Sequence, residues 1–259
     1  MTTILEHPAF PQPSDVSLSV WRYMDFDKFE WLVEKQRLFM PSADRLGDPW
    51  EGKTPQGYIN WWDNAIAAAT SAELRDTITH NRDFVYRISQ QFRDRYYVTC
   101  WHMNEHENYA MWGCYTNTEE SVAIKSTYLQ FVDALPNYAY TGMVRYLDYA
   151  SDQLPPMNLF QYIMHKDSFF SYEQEARGVV LPVPHDPIIM EDFAKNHFEL
   201  ASVPGFRVFA PPIDVAKLIN AVVLHPKSST AFQARVAELC SKHSLPSPDL
   251  SRQTKPYAK

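Results

Sequence analysis

Glycine is scarce in this 259-residue chain: there are seven, Gly47, Gly52, Gly57, Gly113, Gly142, Gly178 and Gly205. No two stand close enough to build a phosphate-cradling loop of the dinucleotide or nucleoside-triphosphatase type, so a nucleotide held here is held without one. Cysteine is scarcer, with three widely spaced residues. An odd, scattered set argues against a disulfide framework and fits a reduced, cytoplasmic setting. Basic residues are outnumbered, 24 Lys and Arg against 31 Asp and Glu, giving a net charge of -7. Broad, non-specific nucleic-acid binding needs a basic footprint and is not expected. No apolar run approaches the ~20 residues of a membrane span, and the first residues carry no signal-peptide pattern, so no membrane partner is expected.

What the chain does hold is a core. Hydrophobic residues make up 45% of it and aromatics 14%, which excludes a disordered protein. The reading is one α+β domain over residues 16–245, with a Pro-rich flexible arm at 1–15 and a polar tail at 246–259. Strands are expected at Val16–Tyr23, Arg37–Met40, Tyr96–Trp101, Ser121–Ile124, Tyr138–Tyr146, Phe206–Phe209 and Ala221–Leu224, where β-branched and aromatic residues cluster. Asp25 is placed to cap a helix carrying Phe26, Phe29, Leu32 and Val33, and further helices are expected near 58–76, 81–95, 109–115, 158–164, 186–195 and 228–243. Strands and helices mix without strict alternation. That favours a mixed, mostly antiparallel sheet, whole or split, with flanking helices, over a doubly wound fold. Pro182–Pro187 is a weak linker candidate.

Chemistry concentrates in Glu173-Gln174-Glu175-Ala176-Arg177, which runs into the strand-like Gly178-Val179-Val180-Leu181. A strand beginning near Ser171 puts Glu173, Glu175 and Arg177 on one face and Tyr172, Gln174 and Ala176 on the other. A helix would instead pair Glu173 with Arg177 at i,i+4. Arg22, between Trp21 and Tyr23, ends the first strand and needs an anion, either Glu173 or Glu175 or a ligand phosphate. The loop Asp48-Pro49-Trp50-Glu51-Gly52 reads as a turn anchored on the core by Trp50, or as a loop that folds over a ligand. Cys100, His102, His106 and Cys114 are metal-ligand types, but the spacing C-x-H-x3-H-x7-C matches no compact zinc pattern, so no metal is predicted. Cys100 and His102 share a strand face, yet Cys100 lacks the polar opening and helix N-terminus that activate a thiol nucleophile.

Taken in order, the Trp21-Arg22-Tyr23 strand, Asp48-Pro49-Trp50-Glu51, Val98-Thr99-Cys100-Trp101, Met111-Trp112-Gly113-Cys114-Tyr115 and Glu173-x-Glu175-x-Arg177 form a series. From about residue 18 to 240 it resembles a widespread bacterial domain family of unknown function. That family is marked by an R-Y strand, a D-P-F-E loop, a C-F-S strand, an M-W-x-x-Y helix and a late E-x-E-x-R. Its layout in turn looks like the ADP-ribosyltransferase fold, in particular the DNA-targeting toxin branch, a fold-level analogy.

The resemblance implies an enzyme using NAD. Arg22 would grip a phosphate or ribose, and Tyr109 or Trp112 would stack on the nicotinamide. Glu175 would stabilise an oxocarbenium-like transition state, with Glu173 orienting the acceptor: a nucleic acid, protein or small molecule. Two departures stand out: His102 replaces the usual Ser, as a candidate cofactor contact, and Gly47 replaces Asn. Alternatives are a non-catalytic binding or regulatory domain in a phage-defence or toxin setting, and a metal-dependent hydrolase or nuclease built on Asp48, Glu51, Glu173 and Glu175.

Overall fold

The computed structural model describes residues 4–155, 158–182 and 186–254. Its strands are β1 Ser19–Asp25, β2 Met40–Pro41, β3 Tyr97–Met103, β4 Ser121–Thr127, β5 Tyr140–Met143, β6 Arg145–Leu147, β7 His165–Asp167, β8 Glu175–Val180, β9 His197–Glu199, β10 Arg207–Phe209, β11 Ala221–Leu224 and β12 Asp249–Leu250. Its helices are α1 Phe26–Lys35, α2 Gln56–Ala67, α3 Ala72–Phe92, α4 Tyr109–Tyr115, α5 Tyr128–Asp133, α6 Gln161–Met164, α7 Pro187–Asn196, α8 Val215–Leu218 and α9 Thr230–Lys242. Seven strands form a mixed, mostly antiparallel sheet in the order β12-β11-β4-β1-β3-β8-β5. The chain is therefore α+β, as composition and element order suggested.

Alternation in β1 decides what each face holds. Val20 and Met24 join α1, α5 and α9 in the main core, whereas Trp21 and Tyr23 pack with Met111 and Trp112 of α4 on the other face. Helix α1 forms because Phe26, Phe29, Leu32 and Val33 recur at helical spacing and all four are buried, each stabilising by roughly 1.5–3 kcal/mol. It stops at Gln36, which takes the left-handed conformation at φ 52°. Asp25 precedes the helix but its side chain makes no capping bond, because Asn117 and Ser121 already donate to it.

The sheet has one irregularity that matters for function. β1 pairs with β4 over seven residues and β3 pairs with β8 over six, yet β1 and β3 share only Val20↔Met103 and Trp21↔His102. Continuing that register would oppose Arg22 to Trp101 and Tyr23 to Cys100, but those pairs do not form. The strands splay, and a slit opens in the middle of the sheet.

Several expectations are corrected. Residues 4–15 are not a loose arm over their whole length: Ala9 and Phe10 are buried, and the Met143 N–H donates to the Pro11 carbonyl at 2.8 Å. Asp249 and Leu250 of the polar tail pair in parallel with Val223 and Leu224, and the Ser251 hydroxyl is buried against Glu107 at 2.6 Å. Residues 183–185, within the linker candidate, and 255–259 lie outside the described residues.

Candidate functional site

A cavity of about 670 Å³ occupies the slit between β1 and β3. That lies inside the ~300–1,000 Å³ range of small-molecule sites. Arg22, His102, Glu173 and Glu175 all line it, together with Cys100 and Tyr115. The geometry explains how. By alternation Arg22 stands on the α1 face, while Glu175, registered opposite His102, stands on the α4 face. An unbroken sheet would keep them apart; the splayed strands bring both to one cleft.

Arg22 has no carboxylate within ion-pair distance among the described residues, and its one hydrogen bond goes from Nη2 to the Phe39 carbonyl at 3.1 Å. Burial holds its pKa below the ordinary guanidinium range, the sign of a cation short of counter-charge. The carboxylates opposite are crowded instead. β8 begins at Glu175, not near Ser171, because Ser168–Glu173 winds as a 3₁₀ helix and Gln174 turns left-handed at φ 39°. Glu175 and Arg177 share a face as expected, and pair two residues apart along the strand: Nε to Oε1 at 2.6 Å and Nη2 to Oε2 at 2.9 Å. The i,i+4 helical pair does not occur. Glu173 accepts from Lys166 Nζ at 2.5 Å.

Glu51 is the residue that sequence reasoning placed least well. It is 2% exposed and grips the other edge of Arg177, with Nη1 at 2.5 Å and Nη2 at 2.9 Å. Trp50, expected to anchor that loop, is 58% exposed, with Lys53 over its ring at 5.0 Å. The buried guanidinium, 126 residues away in sequence, is what pulls the loop in through its carboxylate. A further bond, Arg93 Nε to the Glu51 carbonyl at 2.7 Å, fixes the backbone.

Two cations, Arg177 and Lys166, thus serve three carboxylates. Burial raises Glu51 above the usual carboxylate range despite Arg177, because no second cation is as close to it. Burial also pushes Glu175 upward, but the bidentate Arg177 and the nearby Lys166 outweigh it, so Glu175 stays ionised and sits below its ordinary value. Burial lowers Lys166, and the surrounding carboxylates more than restore it, so it remains charged.

His102 is 5% exposed and held at both nitrogens. Its Nδ1 donates to the Glu173 carbonyl at 2.5 Å, and its Nε2 faces the side-chain amides of Asn108 at 3.3 Å and Asn104 at 3.4 Å. That pattern fits the neutral ring with its proton on Nδ1, and burial lowers its pKa. His165, buried with Nδ1 on the Gln161 carbonyl, is lowered for the same first reason. A histidine held neutral in the fold but free to protonate when unfolded makes stability fall as pH drops below about 6.5. Urea midpoints taken from pH 7.5 to 5.5 should decline, by up to ~1.4 kcal/mol per pH unit for each such group. The decline should shrink in His102→Asn; an identical decline in that variant rules the assignment out.

Tyr109 and Trp112 do not reach the slit. They share one helical face with Gly113 and Thr116 and line a separate cavity of about 360 Å³ beside His225. Trp112 is a core residue, edge-on to Tyr23 at 5.0 Å, with Nε1 donating to Glu107 at 2.8 Å. Tyr115, on the face of Met111, is the aromatic of this helix that enters the cleft. Trp21, Tyr23 and Trp101 line it from the strands and Trp31, Phe39 and Phe206 from the α1 side; of these, Phe206 comes from a segment whose approach only the three-strand sheet β2-β10-β9 reveals. Among the described residues no three His, Cys, Asp or Glu side chains are arranged to hold a metal ion. No described helix is long and apolar enough to cross a membrane.

What the fold and site define is an α+β protein with a buried, charged cleft running through its central sheet. The sequence matches no protein-family model, and no curated protein or solved structure is found to be similar to it.

Proposed function

We propose that the slit is a nucleotide site and that the protein is an ADP-ribosyltransferase-like enzyme acting on NAD. The observation that carries this reading is the position of Arg22: a half-buried guanidinium with no carboxylate partner among the described residues, facing Glu173 and Glu175 across one cleft. An anion such as a pyrophosphate supplies what Arg22 lacks. Glu175, kept ionised and oriented by Arg177, would face the positive charge that develops as a glycosidic bond breaks. Strands β1, β3 and β8, bearing Arg22, His102 and Glu175, are neighbours in the sheet, which supports one shared cleft for the three.

Nicotinamide release by the purified protein tests this, with nucleic-acid, protein and small-molecule acceptors supplied in turn. Glu175→Gln should lower turnover on the order of 10²-fold or more. Arg22→Gln breaks no ion pair, so it should weaken NAD binding without lowering the melting temperature of the free protein. Absence of both nicotinamide release and an NAD-dependent thermal shift sinks the proposal.

A second reading draws on the same carboxylates. Both Glu173 and Glu175 are already engaged by Lys166 and Arg177, which suits a domain that binds without turnover. An NAD-dependent thermal shift with no nicotinamide release would favour it. The hydrolase reading finds Glu51 and Glu175 together, but around Arg177; a thermal shift with a divalent metal alone would be its support.

A further inference from the structure

The cleft has a second end that the transferase reading does not use. On the α1 side of the sheet its wall is aromatic: Trp31 from α1 meets Phe39 edge-on at 5.5 Å, and Phe39 meets Phe206 at 6.3 Å. All three rings are only partly buried and line the cavity. Phe206 is steadied from outside, because the Arg45 guanidinium stands over it at 5.6 Å while donating to the Gly205 carbonyl at 2.8 Å. Arg22 ties this wall to the charged half of the cleft, since the backbone it bonds to is that of Phe39 itself. An aromatic surface adjoining an unpaired cation matches one kind of ligand: a flat ring joined to an anion.

We infer that Trp31, Phe39 and Phe206 form the seat for the base of a nucleotide whose phosphate lies on Arg22, so that the ligand runs through the sheet from base to sugar. This rests on the nucleotide reading of the cleft and adds its direction: base on the α1 side, and the far sugar beside Glu175. The charge pattern argues for that order. The carboxylates crowd the opposite end, where a phosphate would be repelled; the three rings lie at the α1 end, where Asp27 and Lys28 of α1 and Arg45, itself paired with Asp44, also line the cleft.

Calorimetric titration of the whole protein with ADP, adenosine and inorganic pyrophosphate tests the inference. ADP should bind more tightly than either fragment. Phe206→Leu keeps apolar bulk and removes the ring face; it and Trp31→Leu should each weaken ADP about tenfold, with pyrophosphate unaffected. Phe206→Tyr should retain the wild-type affinity, and Arg22→Gln should weaken ADP and pyrophosphate alike. ADP binding no tighter than pyrophosphate, unchanged ADP affinity in Phe206→Leu, or no ADP binding at all overturns it. The two readings fail separately. ADP binding lost in Phe206→Leu, without any NAD consumption, supports the base seat and removes the transferase. NAD consumption by Phe206→Leu at wild-type rate and KM removes the base seat and leaves the transferase.

Discussion

Arg177→Met should cost the protein about 3–5 kcal/mol. Arg177 is 1% exposed and holds five contacts: two to Glu51, two to Glu175 and one to the Ile163 carbonyl at 2.5 Å. Methionine fills much the same volume, so the loss is electrical. Two buried carboxylates would be left facing each other with Lys166 as the nearest remaining cation. The pair as a whole need not be stabilising, because desolvating three charges is itself costly. The triple variant Glu51→Met, Glu175→Met, Arg177→Met should therefore recover much of the lost stability. Urea unfolding measures both. A loss below ~1 kcal/mol in the single variant would mean that the carboxylates shed their charge by taking up protons, or reach water, once Arg177 is gone.

Phe10→Ala should cost roughly 3–5 kcal/mol, although it lies in a segment whose composition suggests a loose arm. Phe10 is 2% exposed, stacked on Tyr140 at 5.2 Å and edge-on to His7 at 5.5 Å and Phe160 at 5.1 Å. The arm also covers the outer edge of β5: Gln12 Nε2 donates to the Thr141 carbonyl at 2.5 Å, and Tyr128 donates to Gln12 at 2.8 Å. Gly142 shows how close the two chains lie, since a Cβ there would come within 2.7 Å of the Phe10 Cα. Gly142→Ala should accordingly free the arm without touching the ring. Denaturant midpoints give the first effect, and faster protease cleavage within residues 4–15 the second. An unaltered midpoint in Phe10→Ala would show that the aromatic cluster forms without it.

Legibility in the sequence followed the range of the interaction. α1 and the helix at 109–115 were readable because helical periodicity is local, and β1, β3 and β11 because their β-branched and aromatic runs are. Arg22, Glu173 and Glu175 were nameable as candidate site residues from charge placed at strand ends, and His102 only as a departure from the resembled family's pattern. Their convergence was not readable, because it depends on two strands parting after Trp21↔His102, which no local signal marks. The loop at 48–52 reads as a turn anchored by Trp50 or as a flap over a ligand; Glu51 as its anchor was not legible, since size is visible in sequence and a buried guanidinium 126 residues away is not. That Tyr115 and not Tyr109 or Trp112 lines the slit was illegible for a subtler reason. All three lie on one short helix, and which side faces the cleft depends on how α4 packs against Trp21 and Tyr23. The arm misled through its prolines: they suggest a free chain, yet proline also suits an extended segment laid along a sheet edge.

The two residue pairs joining β1 to β3 also act as a joint. The four strands on the β1 side and the three on the β3 side are connected through the sheet by Val20↔Met103 and Trp21↔His102, with the Asn104 N–H donating to the Ser19 carbonyl just beyond them at 3.2 Å. They resemble two leaves on one short hinge, and side-chain packing around Met24 and Trp101 is what resists their rocking. Few backbone rungs therefore fix the width of the opening. A molecule that touched Arg22 on one leaf and Glu175 on the other would act as a clasp, standing in for the missing rungs.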